Sequence, residues 1–154
     1  MFKKMRRKDK IISKDDIIFI LNKGNFGILS TVDTNGYGYG VPLNYVYKNN
    51  SIYFHCAPVG EKLENIKNNN KVSFCVTNNV EILNSKFDTN YESVIIFGKA
   101  YEIFGQEKDE ALLYLIDKYS KDFMDEGKKY IENSKDKIKV IKIDIEHSSG
   151  KAQK

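Results

Sequence analysis

Cysteine is scarce: Cys56 and Cys75 are the whole complement in 154 residues, and they form no Cys-x-x-Cys pair. That removes the basis for a disulfide framework. With His55 and His147 far apart as well, no zinc-type ligand spacing is left and no metal is expected. No apolar run approaches the roughly 18 residues of a membrane-spanning helix, and no secretory hydrophobic segment is present. The expected setting is therefore a reducing cytoplasm without membrane attachment. Charge of one sign is also short: 25 Lys and Arg against 21 Asp and Glu give a net +4. Part of that excess sits in Lys3, Lys4, Arg6, Arg7, Lys8 and Lys10, a run that reads as a solvated arm. Elsewhere the cations are offset, which argues against a nucleic-acid partner. No Ser-His-Asp set or carboxylate pair can be assembled from spacing.

What is present is the composition of a folded domain, with 41% hydrophobic residues, ten Tyr and nine Phe. Neither a linker-like stretch nor an internal repeat divides it. One domain is expected over 1–154, with a basic N-terminal arm at 1–12 and a C-terminal tail at 146–154. Ser13-Lys14-Asp15-Asp16 resembles a capping box and opens a short amphipathic helix that stops at Gly24. Phe26 to Asp33 is β-prone, and Asn35-Gly36 favours a tight hairpin because both turn positions want positive φ. Tyr37 to Lys48 supplies a second strand, Asn49-Asn50 another turn, and Ser51 to Ala57 a third strand, giving a meander. Lys71 to Leu83 and Tyr91 to Phe104 follow as strands around a polar loop at Asn84–Asn90, with Gly98 as a bend or bulge. Helices are expected over Gln106–Tyr119 and Phe123–Ile131, and Ile138 to Ile145 alternates as the last strand. Six antiparallel strands with few helices suggest a closed or partly closed barrel, since closure removes unpaired edges.

The stretch from Tyr53 to Phe74 organises the rest. A strand runs into Pro58 and Gly60, and Leu63 and Ile66 then recur at helical spacing, so a strand delivers the chain to a helix that opens at Gly60-Glu61-Lys62. Free N–H groups, the helix dipole and the Lys62 charge would suit a phosphate there; the plain alternative is a solvated surface lysine.

The segment from Gly24 to Phe74, with Val41-Pro42-Leu43-Asn44-Tyr45, the strand end His55-Cys56-Ala57 and Gly60-x-Lys62-Leu63, followed by Tyr91 to Ala100, resembles the pyridoxamine 5′-phosphate oxidase-related, FMN-binding split-barrel family, nearest its nitroimidazole-resistance branch. The resemblance runs over essentially the whole chain. It implies a mainly β domain with flanking helices, a six-stranded antiparallel split β-barrel. It also implies a homodimer with FMN at the subunit interface. In that picture Lys62 holds the phosphate, Val41, Pro42, Leu43, Asn44 and Tyr45 lie along the flavin ring, and His55 stands at the adjoining strand end. Gly150 and Lys151 reach the partner's flavin. The implied activity is oxidoreduction of small electron-poor compounds such as nitroaromatics and nitroimidazoles, with His55 as the catalytic candidate. A non-enzymatic flavin-binding or redox-sensing role and a deazaflavin-dependent reductase remain as alternatives. Glu61 stands where true pyridoxamine phosphate oxidases carry a phosphate-binding Arg, which argues against vitamin B6 oxidation.

Several of these residues have structural alternatives. Asn44 also suits a turn, and Tyr45 and Tyr47 share a strand face that suits core or dimer packing. Pro42 within a strand run points to an edge or bulge with free backbone groups. Of Ser30 and Thr31, alternation turns only one toward a cleft. His55 also suits a half-buried histidine with a backbone partner.

Overall fold

The computed structural model describes residues 1–154. Ser13 caps the first helix as its spacing predicts: its hydroxyl accepts the Asp16 amide at 3.0 Å. Helix α1 (Lys14–Lys23) buries Ile17, Ile20 and Leu21, and the chain leaves it at Gly24. One antiparallel sheet follows, built from β1 (Gly27–Val32), β2 (Gly38–Leu43), β3 (Val46–Lys48), β4 (Ser51–Cys56), β5 (Lys71–Leu83), β6 (Asp88–Ile103) and β7 (Lys139–Gln153). Helix α2 (Glu61–Asn68) lies between β4 and β5, and α3 (Gly105–Tyr119) and α4 (Met124–Ser134) lie between β6 and β7.

The sheet order is β2-β1-β5-β6-β7-β4-β3, so seven strands stand where six were expected. The difference arises within Tyr37–Lys48, which is not one strand but two, β2 and β3, at opposite edges of the sheet. The expected three-strand meander is accordingly a β1–β2 hairpin and a separate β3–β4 hairpin. Only Asn44 and Tyr45 join the two edge strands. An extended chain gains at most about 3.6 Å per residue, so the sheet must curl until its two edges converge at this corner. Away from the corner the edges are unpaired, which makes the sheet a split barrel rather than a hydrogen-bonded ring.

The break at Asn44–Tyr45 has a packing cause. Tyr45 is completely buried, and its hydroxyl donates to the Leu21 carbonyl at 2.6 Å while its ring meets Phe74 edge-on at 5.0 Å. Anchoring that ring beneath α1 turns the backbone out of the plane of β2.

The turns differ from one another. Asn49 and Asn50 both take positive φ, 49° and 59°, the geometry of a two-residue hairpin. At Asn35-Gly36 only Gly36 does, at 87°, because the Asp33 carboxylate gathers the Asn35 and Tyr37 amides, each at 2.8 Å, into a longer loop. Gly98 sits at the expected bulge, where Phe97 pairs with His147 but Gly98 pairs with Ile145. A Cβ on Gly98 would collide with the Asp144 carbonyl. The loop expected at Asn84–Asn90 is shorter, a 3-10 turn over Asn84–Lys86 with β6 starting at Asp88.

Two cores result. The larger fills the concave side of the sheet with Leu29, Phe54, Phe74, Val76, Val94, Ile96 and Ile143, closed by α1 and by Ile66 of α2. The smaller joins Val46, Tyr53, Ile103 and Val140 on the outer side to α3 and α4 through Ala111, Leu112, Leu115 and Ile131. Residues 146–154 are not a tail: β7 continues to Gln153, paired with β6 as far as Tyr91. The end of the basic arm is drawn in as well, with Ile11 bridging Lys151 and the Ile12 amide donating to the Gly150 carbonyl at 3.2 Å.

Candidate functional site

The residues singled out in the sequence fall at two places, Val41 to Tyr45 at the end of β2 and the corner that follows, and His55 and Lys62 at the end of β4 and the head of α2. β3 begins at Val46, which pairs with Tyr53, so Asn44 and Tyr45 lie outside the ladder and β4 runs on past it through Phe54. Pairing ends where the chain turns at Tyr45, and β4 runs on through His55 and Cys56 toward α2. One lip of the split is β2, ending in Val41-Pro42-Leu43 with Asn44 just beyond, and the other is the end of β4.

β2 is an edge strand, so its alternate N–H and C=O groups face away from β1 into the split. Pro42 is exposed there, as its position in a strand requires. Val41 and Leu43 turn inward and pack on the large core, leaving Gly38, Gly40 and Pro42 on a flat opposite face. Asn44 is exposed and its side-chain amide donates to the Asn25 carbonyl at 3.2 Å, the turn role of its two alternatives.

At the other lip, the Leu63 and Glu64 amides close onto the Gly60 carbonyl at 3.1 and 3.2 Å. The Glu61 and Lys62 amides remain as free donors at the positive end of α2. A Cβ on Gly60 would meet nothing within 4 Å, so the space before the helix is open. Lys62 is half-buried and near Cys56: burial pushes that thiol's pKa up, and the Lys62 charge pulls it the other way. The helix is fixed from below by Asn65, whose amide donates to the Thr31 hydroxyl at 3.0 Å, with both side chains buried. Thr31 is therefore spent on this joint, while Ser30 faces outward.

Free backbone donors, a lysine at a helix start and an open strand edge fit the phosphate and flat polar ring of a flavin nucleotide. His55 is exposed at the rim, and partial desolvation by the chain around it holds its pKa below the ordinary histidine value. It is neutral at pH 7.

Tyr45 is placed differently from a ligand contact. Its backbone N–H donates to the Tyr119 hydroxyl at 3.0 Å, and that hydroxyl lies 2.8 Å from the Tyr45 carbonyl and 2.7 Å from the Asn25 carbonyl. Tyr119 thus clamps the corner from the end of α3, and Tyr45 supports the site from beneath. The Lys118 ammonium covers the Tyr45 ring at 3.8 Å. Gly150 and Lys151 are not brought to this corner. Gly150 pairs with Val94, with Ile12 and Ile17 filling the space a side chain would need, and the Lys151 ammonium lies over Tyr91 at 5.4 Å.

Sequence reasoning missed Asn65, Tyr119 and Lys118. Asn65 leaves a signal, a polar residue beside Ile66 on the helix face that the core covers. Tyr119 reads only as one more apolar position of α3.

Comparison with known proteins bears on the fold and the family. Curated proteins give no match. Among solved structures, a candidate 5-nitroimidazole antibiotic resistance protein from Bacteroides thetaiotaomicron is 26% identical, with TM-score 0.76 over 92% of this chain and 86% of that one. A conserved hypothetical protein from Mycobacterium tuberculosis has TM-score 0.82 at 17% identity, over 97% of this chain and 90% of that one. An FAD-binding protein from Mesorhizobium loti has TM-score 0.69 at 21% identity, over 94% of this chain and 98% of that one. The family model described as pyridoxamine 5′-phosphate oxidase matches residues 13–152. With that match spanning both lips of the split and the strands between them, the chain belongs to the pyridoxamine 5′-phosphate oxidase family.

Proposed function

We propose that this chain is an FMN-dependent oxidoreductase that reduces small electron-poor compounds such as nitroaromatics. The observation that carries the reading is the split itself: the open edge of β2 on one lip, and the free amides and Lys62 of α2 on the other. The flavin supplies the electron or hydride transfer when bound. The chain's own part is to hold and orient. Lys62 and the Glu61 and Lys62 amides take the phosphate, and the outward backbone groups along Val41 to Asn44 meet the ring's polar edge. Family membership and the flavin-binding and nitroimidazole-resistance names among similar structures support this. Glu61 beside Lys62 opposes a second phosphate, so a pyridoxamine phosphate substrate is not part of the proposal.

A homodimer belongs to the same reading. On the outward face of the sheet, Pro42, Ile28, Cys75 and Ile95 line up across β2, β1, β5 and β6, and Ile95 is left 39% exposed. An apolar row of this kind suits a twofold contact between copies. Light scattering of the flavin-loaded protein is expected to give a dimer.

The functional test is turnover. Protein loaded with FMN and reduced is mixed with a nitroaromatic acceptor, and flavin absorbance is followed. Reoxidation at a rate that saturates with acceptor supports the oxidoreductase. Bound flavin that the acceptor does not reoxidise faster than it does free FMN points to a carrier or sensor. Parallel titrations with FAD and a deazaflavin decide the cofactor.

A further inference from the structure

Cys56, the last residue of β4, pairs directly with Lys139, the first residue of β7. Lys139 shares its face of β7 with Ile141 and Ile143 of the larger core, so its side chain stands on the concave side, at the end that α2 covers. Lys62 reaches the same place from the first turn of α2. Burial raises the Cys56 pKa, the Lys62 and Lys139 charges pull it down, and Glu102 pushes it up, so all three charged groups lie around that thiol. The one ionic partner of Lys139 is the Glu102 carboxylate, at 3.4 Å, with the two side chains 37% and 25% exposed. A pair this open to water contributes little and exchanges partners readily. Beside it is a cavity of about 430 Å³, walled by Lys139 and Glu102 on the strand side, by Leu63 of α2, and by Pro58 on the approach to the helix head. Glu64 and Lys67 also border it from the helix, and their opposite charges offset each other.

We propose that Lys139 is a second phosphate-binding residue of the site at the head of α2, held by Glu102 in the free protein and passed to the cofactor's phosphate on binding. A phosphate monoester carries a charge of about −1.5 to −2 near neutral pH. Lys62 supplies one positive charge and the helix dipole the equivalent of about half of one, and Glu61 in the same turn subtracts from both. The site with Lys62 alone is therefore short of positive charge. Lys139 makes up the difference from the facing strand, on a flexible four-carbon stem whose ammonium can turn from Glu102 to the phosphate. The inference deepens the proposed function by naming the residue that makes the site select a phosphate ester, and it rests on that reading for the place of the phosphate.

FMN and riboflavin are titrated into the parent protein, Lys139→Gln, Glu102→Gln and the double variant, with flavin fluorescence as readout. Lys139→Gln is expected to weaken FMN binding by about threefold to tenfold and to leave riboflavin binding unchanged. Glu102→Gln frees the ammonium and is expected to tighten FMN binding by about twofold to fivefold, again without effect on riboflavin. That tightening should vanish in the double variant, because Glu102 acts through Lys139. Unchanged FMN affinity in Lys139→Gln, equal weakening of riboflavin, or a tightening by Glu102→Gln that persists without Lys139 would each overturn the proposal. If Lys62→Ala weakens FMN binding and Lys139→Gln does not, this inference fails and the flavin reading stands. Inorganic phosphate, titrated while NMR shifts of the Lys139 side chain are followed, covers the reverse case. Saturable shifts in a protein that binds no FMN refute the flavin reading alone, and the absence of both kinds of binding overturns the two together.

Discussion

Lys118 offers a test of the corner that involves no ligand. Its ammonium lies 3.8 Å from the centre of the Tyr45 ring and has no hydrogen-bond acceptor. Burial lowers its pKa from 10.5 to about 8. In the unfolded chain the same amine titrates near 10.5, so between pH 8 and 10.5 the unfolded state binds the extra proton and stability rises with pH. The cost of holding the charged form is complete below about pH 8 and gone above about 10.5. Taken at face value the difference corresponds to about 3 kcal/mol. The stem is only half-buried and the Tyr45 ring face attracts the cation, which together reduce it to about 1–2 kcal/mol. Lys118→Met keeps the stem and removes the charge. In urea unfolding at pH 7 the variant is expected to be more stable than the parent by that amount, and the gap should close as pH approaches 10.5. Burial raises the pKa of Cys56, Cys75, Tyr53 and Tyr101, so these groups cost stability as pH rises through their unfolded-state values. They do so equally in both proteins and cancel from the difference. A variant less stable at pH 7, or a difference that does not change with pH, would refute the reasoning.

Two further outcomes follow from the joint beneath α2 and from the rim. Asn65→Ala leaves the buried Thr31 hydroxyl unpaired and should cost about 1–3 kcal/mol in urea unfolding, whereas adding Thr31→Val should cost much less than a second full penalty. Additive losses would show that the two side chains do not act as a pair. His55 has a lowered pKa and is neutral at pH 7, so any proton it donates is available only at lower pH. Stopped-flow oxidation of the reduced, flavin-loaded protein by a nitroaromatic should therefore accelerate as pH falls through the His55 pKa, and His55→Gln should lose that acceleration. General acid catalysis contributes roughly two to four orders of magnitude, so a loss below about threefold at low pH would remove His55 from the chemistry.

Much of the fold could be read from local pattern because local chemistry decides it. Ser13 and Gly24 delimit α1 through a side-chain cap and a stop, Asn49-Asn50 adopts the turn that asparagines tolerate, and the apolar pattern over Ile138–Ile145 is that of a strand, with Ile141 and Ile143 in the larger core and Val140 in the smaller one. The break at Asn44–Tyr45 could not be read this way. Val41, Leu43, Tyr45 and Tyr47 keep an unbroken period of two, and what ends the strand is the seat of Tyr45 beneath α1 and the clamp of Tyr119, contacts with residues distant in sequence. The extension of β7 through Glu146–Gln153 was hidden for a related reason. Those residues carry almost no apolar pattern and are held by pairing with β6 and by the N-terminal arm. At the candidate site, Lys62 at the head of α2 followed from the strand-to-helix pattern. That β2 and β3, two residues apart in sequence, form the two opposite edges of the sheet emerges only from the strand order. Gly150 and Lys151, expected in a free tail, lie instead within a paired strand.

The central claim, a flavin nucleotide held by its phosphate at the head of α2, is tested most directly by titrating FMN and riboflavin into the parent protein and Lys62→Ala while following flavin absorbance and fluorescence. A charge-assisted hydrogen bond contributes roughly 1.5–3 kcal/mol, so the variant should bind FMN about ten- to a hundredfold more weakly. Riboflavin, which lacks the phosphate, should bind both proteins alike. Equal weakening for both ligands, or no binding of FMN by the parent protein, would contradict the account.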